Sequence, residues 1–230
     1  STKESVQLLR EGKERGVKVT GETGPHYLMF TDQDLEEDGK WKMNPPIREE
    51  ADREALIRGI QDGTIDCLIT DHAPHSAEEK SKGLAGSSFG IVGLETAFAS
   101  MFHNMVLRNP LDKDPLRVDL RKAKCTAAEA LSEKGKAEYG AISLYRLLEL
   151  MCTRPREIFP IRGPKYIEDG VEADITVLDL DACYPVDSAQ FYSKGKSTLF
   201  SGQEVQGKVL KTYYQGEAVY DSEKGILFQR

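Results

Sequence analysis

Several things are scarce in this sequence, and each scarcity excludes something. Its four cysteines, Cys67, Cys125, Cys152 and Cys183, are widely scattered and form no C-x-x-C pair. Neither a zinc knuckle nor a disulfide framework is indicated, and reduced, mostly buried thiols are expected. No apolar run approaches the length of a bilayer span. Positive charge is in deficit: 31 Lys and Arg face 38 Asp and Glu, for a net charge of −7. That balance argues against a nucleic-acid or anionic-membrane surface. No signal-peptide pattern opens the chain, so a cytoplasmic location is expected. There is no internal repeat and no low-complexity tract. What remains is an ordinary globular mixture, 39% hydrophobic and 30% charged over 230 residues, enough for one large domain or two small ones.

Helical and strand-like stretches alternate along the chain. Ser1 and Glu4 have capping-box spacing ahead of Val6, Leu8 and Leu9, and Gly16 closes that helix. Residues 17–21 read as a strand, 50–61 as a helix with Ala55, Leu56 and Ile60 on one face, and 65–70 as a strand. Residues 91–103 and 142–153 read as helices, the second stopped by Pro155. Buried strands followed by amphipathic helices predict βα units and a parallel sheet, with chemistry on the loops after the carboxyl ends of strands. From about residue 170 the texture changes to short strands between Gly, Asp and Ser turns, a small β-rich module. Residues 106–139 are polar and Lys-rich, with Pro110 and Pro115, and read as an excursion between two helices. The chain starts on a helix cap without an initiator Met, which predicts that something upstream has been removed or is not part of it.

Three stretches carry candidate chemistry. In "GTIDCLITDHAPH", residues 63–75, an apolar strand ends at Asp71, His72 and His75. Such a cluster can bind a divalent metal, which acidifies a bound water while a carboxylate takes its proton. A hydrogen-bonded structural cluster explains the same residues equally well. In "WKMNPPIREEADREAL", residues 41–56, Asn44 precedes two prolines that hold the backbone extended. An amide held there can donate to and accept from a cyclic amide, or it can merely cap a turn; Arg48 reads as a surface or helix-start charge. In "KGLAGSSFGIVGLETAF", residues 82–98, four glycines make a loop whose backbone can approach a ligand. It is neither a P-loop nor a Rossmann turn, because the lysine-hydroxyl pair and the acidic ribose partner are missing. A flexible lid is the plainer reading.

Taken together, "KMNPPIR", "DGTIDCLITDHAPHSAEEK" and "FGIVGLETAF" resemble dihydroorotase of the bacterial class I type, in the amidohydrolase superfamily. "STKESV", "GETGPHYL" and "LLELMCTRPREIFPI" fit in order; residues 106–139 and those beyond about 185 fit least. The resemblance implies a metal-containing (β/α)8 barrel with a small β-sandwich built from both chain ends. It implies residues 1–165 as part of the barrel and 166–230 as a β-rich composite module. The implied reaction interconverts N-carbamoyl-L-aspartate and L-dihydroorotate in pyrimidine synthesis. Asp71 then matches the catalytic aspartate that binds zinc and shuttles a proton. Asn44 and His75 match substrate-binding residues, and Phe89 and Gly90 match the pair whose backbone meets the ring. His72 carries no matched role, His26 in "GPHYL" is a landmark with a structural role, and His103 is ordinary.

The sequence departs from that family in one respect. "STKESV" resembles the segment that follows a metal-binding histidine, and no H-x-H pair occurs anywhere in the chain. Of the metal shell only Asp71 is present, whereas a catalytic zinc takes about three protein ligands. The expectation is therefore the C-terminal half of a dihydroorotase, inactive alone, with one or two Zn2+ completed by an upstream segment. Allantoinase or hydantoinase activity, or a non-catalytic scaffold for aspartate transcarbamoylase, are the alternatives. A homodimer is the family expectation, with no nucleic-acid or membrane partner.

Overall fold

The computed structural model describes residues 1–111, 140–164 and 166–227. Most of the expected 106–139 excursion lies outside them, with Cys125 and Pro115. The chain is mixed α/β. Helix α1 spans Lys3–Glu14. Its cap is Thr2, not Ser1: the Thr2 hydroxyl accepts the Ser5 N–H at 3.2 Å. The shift follows from Asp52, whose carboxylate takes the Lys3 N–H at 2.8 Å and ties the start of α1 to the next long helix. Val6 is the residue α1 buries, while Leu8 faces outward.

The strand expected at 17–21 does not form there. β1 is Glu22–Thr23, pairing in parallel with β2, Cys67–Leu68, in the register Glu22↔Cys67 and Thr23↔Leu68. A strand exists only where its N–H and C=O groups find a neighbour, and among the described residues only the stretch from Gly21 onward faces β2. Val17 and Val19 are left exposed. Between the two strands come α2, Pro25–Met29, and α3, Glu50–Gln61, the latter as expected. α3 buries Leu56, Ile57 and Ile60, with Ala55 only half-buried. After β2 lie two short turns of helix, α4 (Ala77–Lys80) and α5 (Gly83–Gly86).

α6 begins at Ala97 and continues through a π-helical turn to Val106. The expected start near 91 fails because Ile91 and Val92 are already committed. Ile91 bridges to His72, and Val92 donates to Ser197 O at 2.7 Å. α7, Leu144–Leu148, runs through a π turn, Glu149–Thr153, into α8, Arg154–Ile158. Pro155 therefore does not stop this helix. The Arg154 N–H bonds Glu149 O, one residue further back than in an α-helix. The wider turn sets Pro155 at the start of a new helical segment, where its missing donor costs nothing.

The last part is one antiparallel sheet, order β3-β4-β5-β6: Ile175–Pro185, Glu204–Tyr214, Glu217–Asp221 and Gly225–Ile226. It packs on α6. Gly207 has φ +98°, and a Cβ there would lie 2.9 Å from Phe102 and 3.0 Å from Phe98. Only glycine allows this approach. Leu28, Ile57, Phe102, Met105, Leu147 and Leu150 form the main core, each contributing about 1.5–3 kcal/mol by burial. Of the three described cysteines only Cys67 is buried; Cys152 and Cys183 are free and exposed, contrary to the expectation of mostly buried thiols.

Below β2, at its amino end, Asp66 is almost fully buried. Lys13 Nζ reaches its carboxylate at 2.8 Å, Arg154 at 3.1 Å and the Gly21 N–H at 2.9 Å. Burial alone would push this carboxyl up, but these hydrogen bonds outweigh it and hold the group below its ordinary range. The network fastens α1, β1, β2 and α8 to one another.

Candidate active site at the carboxyl end of the parallel strands

Asp71 leaves β2 with φ +48°, in the left-handed region that an aspartate tolerates better than most residues. Its carboxylate is 39% exposed. Facing it is His26, from α2 at the end of β1, with Nε2 3.9 Å from Asp71 Oδ2. This imidazole is buried, and Nε2 has no hydrogen-bond partner among the described residues. Burial alone lowers its pKa to about 4, so the ring is neutral at neutral pH. Gly24 makes room for it, since a Cβ there would lie 2.8 Å from the ring.

Tyr27 is the next residue. Its hydroxyl donates to Pro45 O at 2.9 Å and lies beside the Asp71 carboxylate. Burial, then that negative charge, pushes the phenol well above its ordinary range. Tyr27 thus links Asp71 to the Asn44–Pro45 turn, whose peptide bond is cis. Asn44 itself is exposed.

A second group assembles around the loop after Asp71. His75 Nε2 donates to Phe89 O at 2.8 Å. Ala73 N–H bonds Ile91 O, and Gly90 N–H bonds Lys42 O, both at 2.9 Å. Gly90 has φ +129°, and a Cβ there would lie 2.5 Å from that of Ala73. Phe89 is 58% exposed, with the Lys42 ammonium 4.6 Å from its ring centroid. His72 Nδ1 accepts the Gly93 and Leu94 N–H groups, both at 3.3 Å. It organises the glycine loop. A segment from the β-rich part closes the rim: Glu95 accepts the Tyr192 and Ser193 N–H groups, and Gly195 packs against Pro74 and His75.

Curated sequences share this chain over most of its length. It is 40% identical over 222 residues, 96% of the chain, to a protein named dihydroorotase from Listeria innocua. Identity is also 40% to dihydroorotases of Brevibacillus brevis and Geobacillus thermodenitrificans, again over 96% of the chain. The chain is homologous to the dihydroorotases. It spans about half the length of these curated relatives, 44–45%. No family model matches it. Among solved structures, L-hydantoinase from Arthrobacter aurescens superposes with a TM-score of 0.76 at 29% identity, covering 99% of this chain and 45% of that one. Dihydropyrimidinase from Brevibacillus agri gives 0.74 at 21% identity, over 99% of this chain and 44% of that one, a likeness of fold.

Of the residues that the dihydroorotase resemblance singles out, the structure joins His75 to Phe89 by a direct hydrogen bond. Asn44 connects to Asp71 only through Pro45 and Tyr27. The sequence alone gives His26 a structural role and Tyr27 none; both follow directly after β1, the strand parallel to the one that precedes Asp71, and that position is the signal that points to them. As to metal, Asp71 offers one oxygen ligand and His26 an unpartnered nitrogen nearby. Among the described residues no group of three or more His, Cys, Asp or Glu could hold an ion. The described residues therefore do not fit a complete metal centre. No helix among them is long and apolar enough to cross a membrane.

Proposed function

We propose that this chain carries the substrate-holding half of a dihydroorotase site, acting in reversible hydrolysis of L-dihydroorotate to N-carbamoyl-L-aspartate. The observation that supports it most is the convergence of Asp71, the Tyr27–Pro45–Asn44 turn and the His75–Phe89–Gly90 cluster at one end of the parallel strands. In this reading residues 1–165 are part of a (β/α)8 barrel and 166–230 a β-rich module completed elsewhere as a sandwich. Asn44, His75 and the Phe89–Gly90 backbone orient the ring, so its amide carbonyl presents one face to the attacking oxygen. Asp71 takes the proton of that nucleophile and returns it to the leaving ring nitrogen.

Zinc, one or two ions per complete site, supplies carbonyl polarisation and an acidified water when bound. Asp71 would be one of its ligands, and the others would come from residues outside those described, on the remaining length of a dihydroorotase chain. The chain alone is then inactive and partners that segment; the location is cytoplasmic, and a homodimer follows the family. The hydantoinase likeness keeps hydantoin and allantoin as competing substrates, and a scaffold for aspartate transcarbamoylase is the non-catalytic competitor.

The test is zinc content and dihydroorotate hydrolysis on the 230-residue chain, with and without the separately expressed remaining segment of a relative. Low zinc and no turnover alone, with both restored together, is the expected result. Turnover by the chain alone would overturn the half-site reading. Preference for hydantoin or allantoin would overturn the substrate, and zinc without any turnover after reconstitution would favour the scaffold.

A further inference from the structure

Lys80 ends α4, and its side chain turns inward: the residue is 8% exposed. Among the described residues no carboxylate lies within ion-pair distance of its ammonium, and Asp38 acts on it only as a more distant charge. The three N–H donors go to three backbone carbonyls, Lys42 O at 3.1 Å, Ser88 O at 2.8 Å and Gly90 O at 2.8 Å. A lysine has three donors and no acceptor, so this cage uses all of them. Burying a charge on neutral dipoles is costly, and burial correspondingly pulls this ammonium below its ordinary range. A core that needed only volume there would be better served by an aliphatic side chain.

The acceptors are not scattered. Ser88 O and Gly90 O flank Phe89 on both sides, and Lys42 lies two residues before Asn44. Lys42 O also receives the Gly90 N–H at 2.9 Å. α4 is fixed in turn by its capping box, in which Ser76 and Glu79 bond each other's backbone, and Gly39 leaves no room beyond Lys80 O. One ammonium therefore joins the two loops that carry Asn44 and Phe89–Gly90.

We propose that Lys80 is a positioning residue: its ammonium pins the Lys42–Asn44 and Ser88–Gly90 loops together and so fixes the spacing of the groups that would meet a flat cyclic amide. That use of the spacing rests on the dihydroorotase reading above; the pin does not. Without it, the Ser88 and Gly90 carbonyls on either side of Phe89 lose their shared donor, and the contact between the two loops loosens to the Gly90 N–H to Lys42 O bond.

Three measurements test this. In the unmutated chain, one lysine ammonium should give a protected 1H–15N signal with couplings to the Ser88 and Gly90 carbonyls. Its absence would overturn the cage without any variant. In Lys80→Met, hydrogen exchange at 42–44 and 87–91 should rise roughly tenfold or more, with α3 unchanged; unchanged exchange in those loops would overturn the pin. Lys80→Arg keeps the charge without the compact three-way geometry and should recover only part of the protection; full protection in Lys80→Arg would overturn the geometric claim. If Lys80→Met does not fold, the ammonium signal and the Arg variant decide. In the reconstituted enzyme Lys80→Arg should raise KM for dihydroorotate several-fold while kcat changes less. A fall in kcat alone would overturn the positioning role. Failure of the unmutated enzyme to use dihydroorotate would sink the substrate reading and leave the exchange result standing.

Discussion

Asp66 and Asp71 bracket the same short strand, and their surroundings are opposites. Asp66, before β2, is 6% exposed and has every oxygen engaged by Lys13, Arg154 and a backbone N–H. Asp71, beyond β2, is 39% exposed, sits in left-handed backbone, and faces a buried imidazole nitrogen that bonds nothing described. A fully satisfied carboxylate is spent on holding the fold and has no capacity left for a ligand. An incompletely satisfied one, kept in an uncommon conformation, is available for chemistry. Residue type does not separate the two; partner count does.

The sharpest way to break the contrast is Asp71→Asn. Asparagine has the same shape and tolerates the same backbone, so melting should move by less than about 0.5 kcal/mol. Turnover by the reconstituted enzyme should fall on the order of 10²–10⁴-fold, as for loss of a general base. A variant that melts early and turns over normally would make Asp71 structural, like its counterpart below the strand.

Acidification separates the two ends in a second way. His26 has its pKa lowered to about 4 by burial. The unfolded chain, with histidine near 6.5, binds more protons between those values, so metal-free stability falls as pH drops from about 6.5 to 4, by at most about 3 kcal/mol. Asp66 acts later. Its carboxyl is held below the ordinary range, so its contribution is intact above about pH 4 and is lost as pH falls through the lower folded value. Denaturant titrations across pH should therefore show two limbs. His26→Gln should erase the upper one only; a single limb below pH 4 in the parent chain would contradict the assignment.

Asp66→Asn comes next, at about 2–3 kcal/mol of lost stability. That is less than the ~3–5 kcal/mol of a fully buried pair, because Lys13 and Arg154 stay 27% and 35% exposed and can turn to water. The measurement is the denaturant midpoint, with dihydroorotate KM unchanged in the reconstituted enzyme.

How much of this could be read before the structure differs between the two ends. The upper end is written in short motifs: Asp71 and His75 in one, Asn44 in another, Phe89 and Gly90 in a third, and α3 followed from its apolar spacing. The lower end was invisible. Asp66 is one acidic letter in an apolar run, and its partners Lys13 and Arg154 lie far away in sequence. Lys80 reads as a surface charge on a helix end, and only the tertiary fold turns it inward. The strand expected at 17–21 failed for a related reason, since pairing is decided by neighbours and not by local pattern. Pro155 failed as a stop because a π turn absorbed it.

The smallest expected effect concerns the link between the two halves of the upper end. Tyr27→Phe removes the hydroxyl that bonds Pro45 O beside Asp71 and leaves the ring in place. Pro45 is exposed, so its carbonyl can take a water, and the stability change should be only about 0.5–1.5 kcal/mol. If Tyr27 merely packs, nothing else changes. If it couples the Asn44 turn to Asp71, hydrogen exchange should quicken at 42–44 while 87–91 stays protected by Lys80, and KM should rise with kcat nearly constant. An equal rise in exchange in both loops would mean that they move as one body. Tyr27 would then be a second pin of the same assembly, and not a connection between Asp71 and the substrate loops.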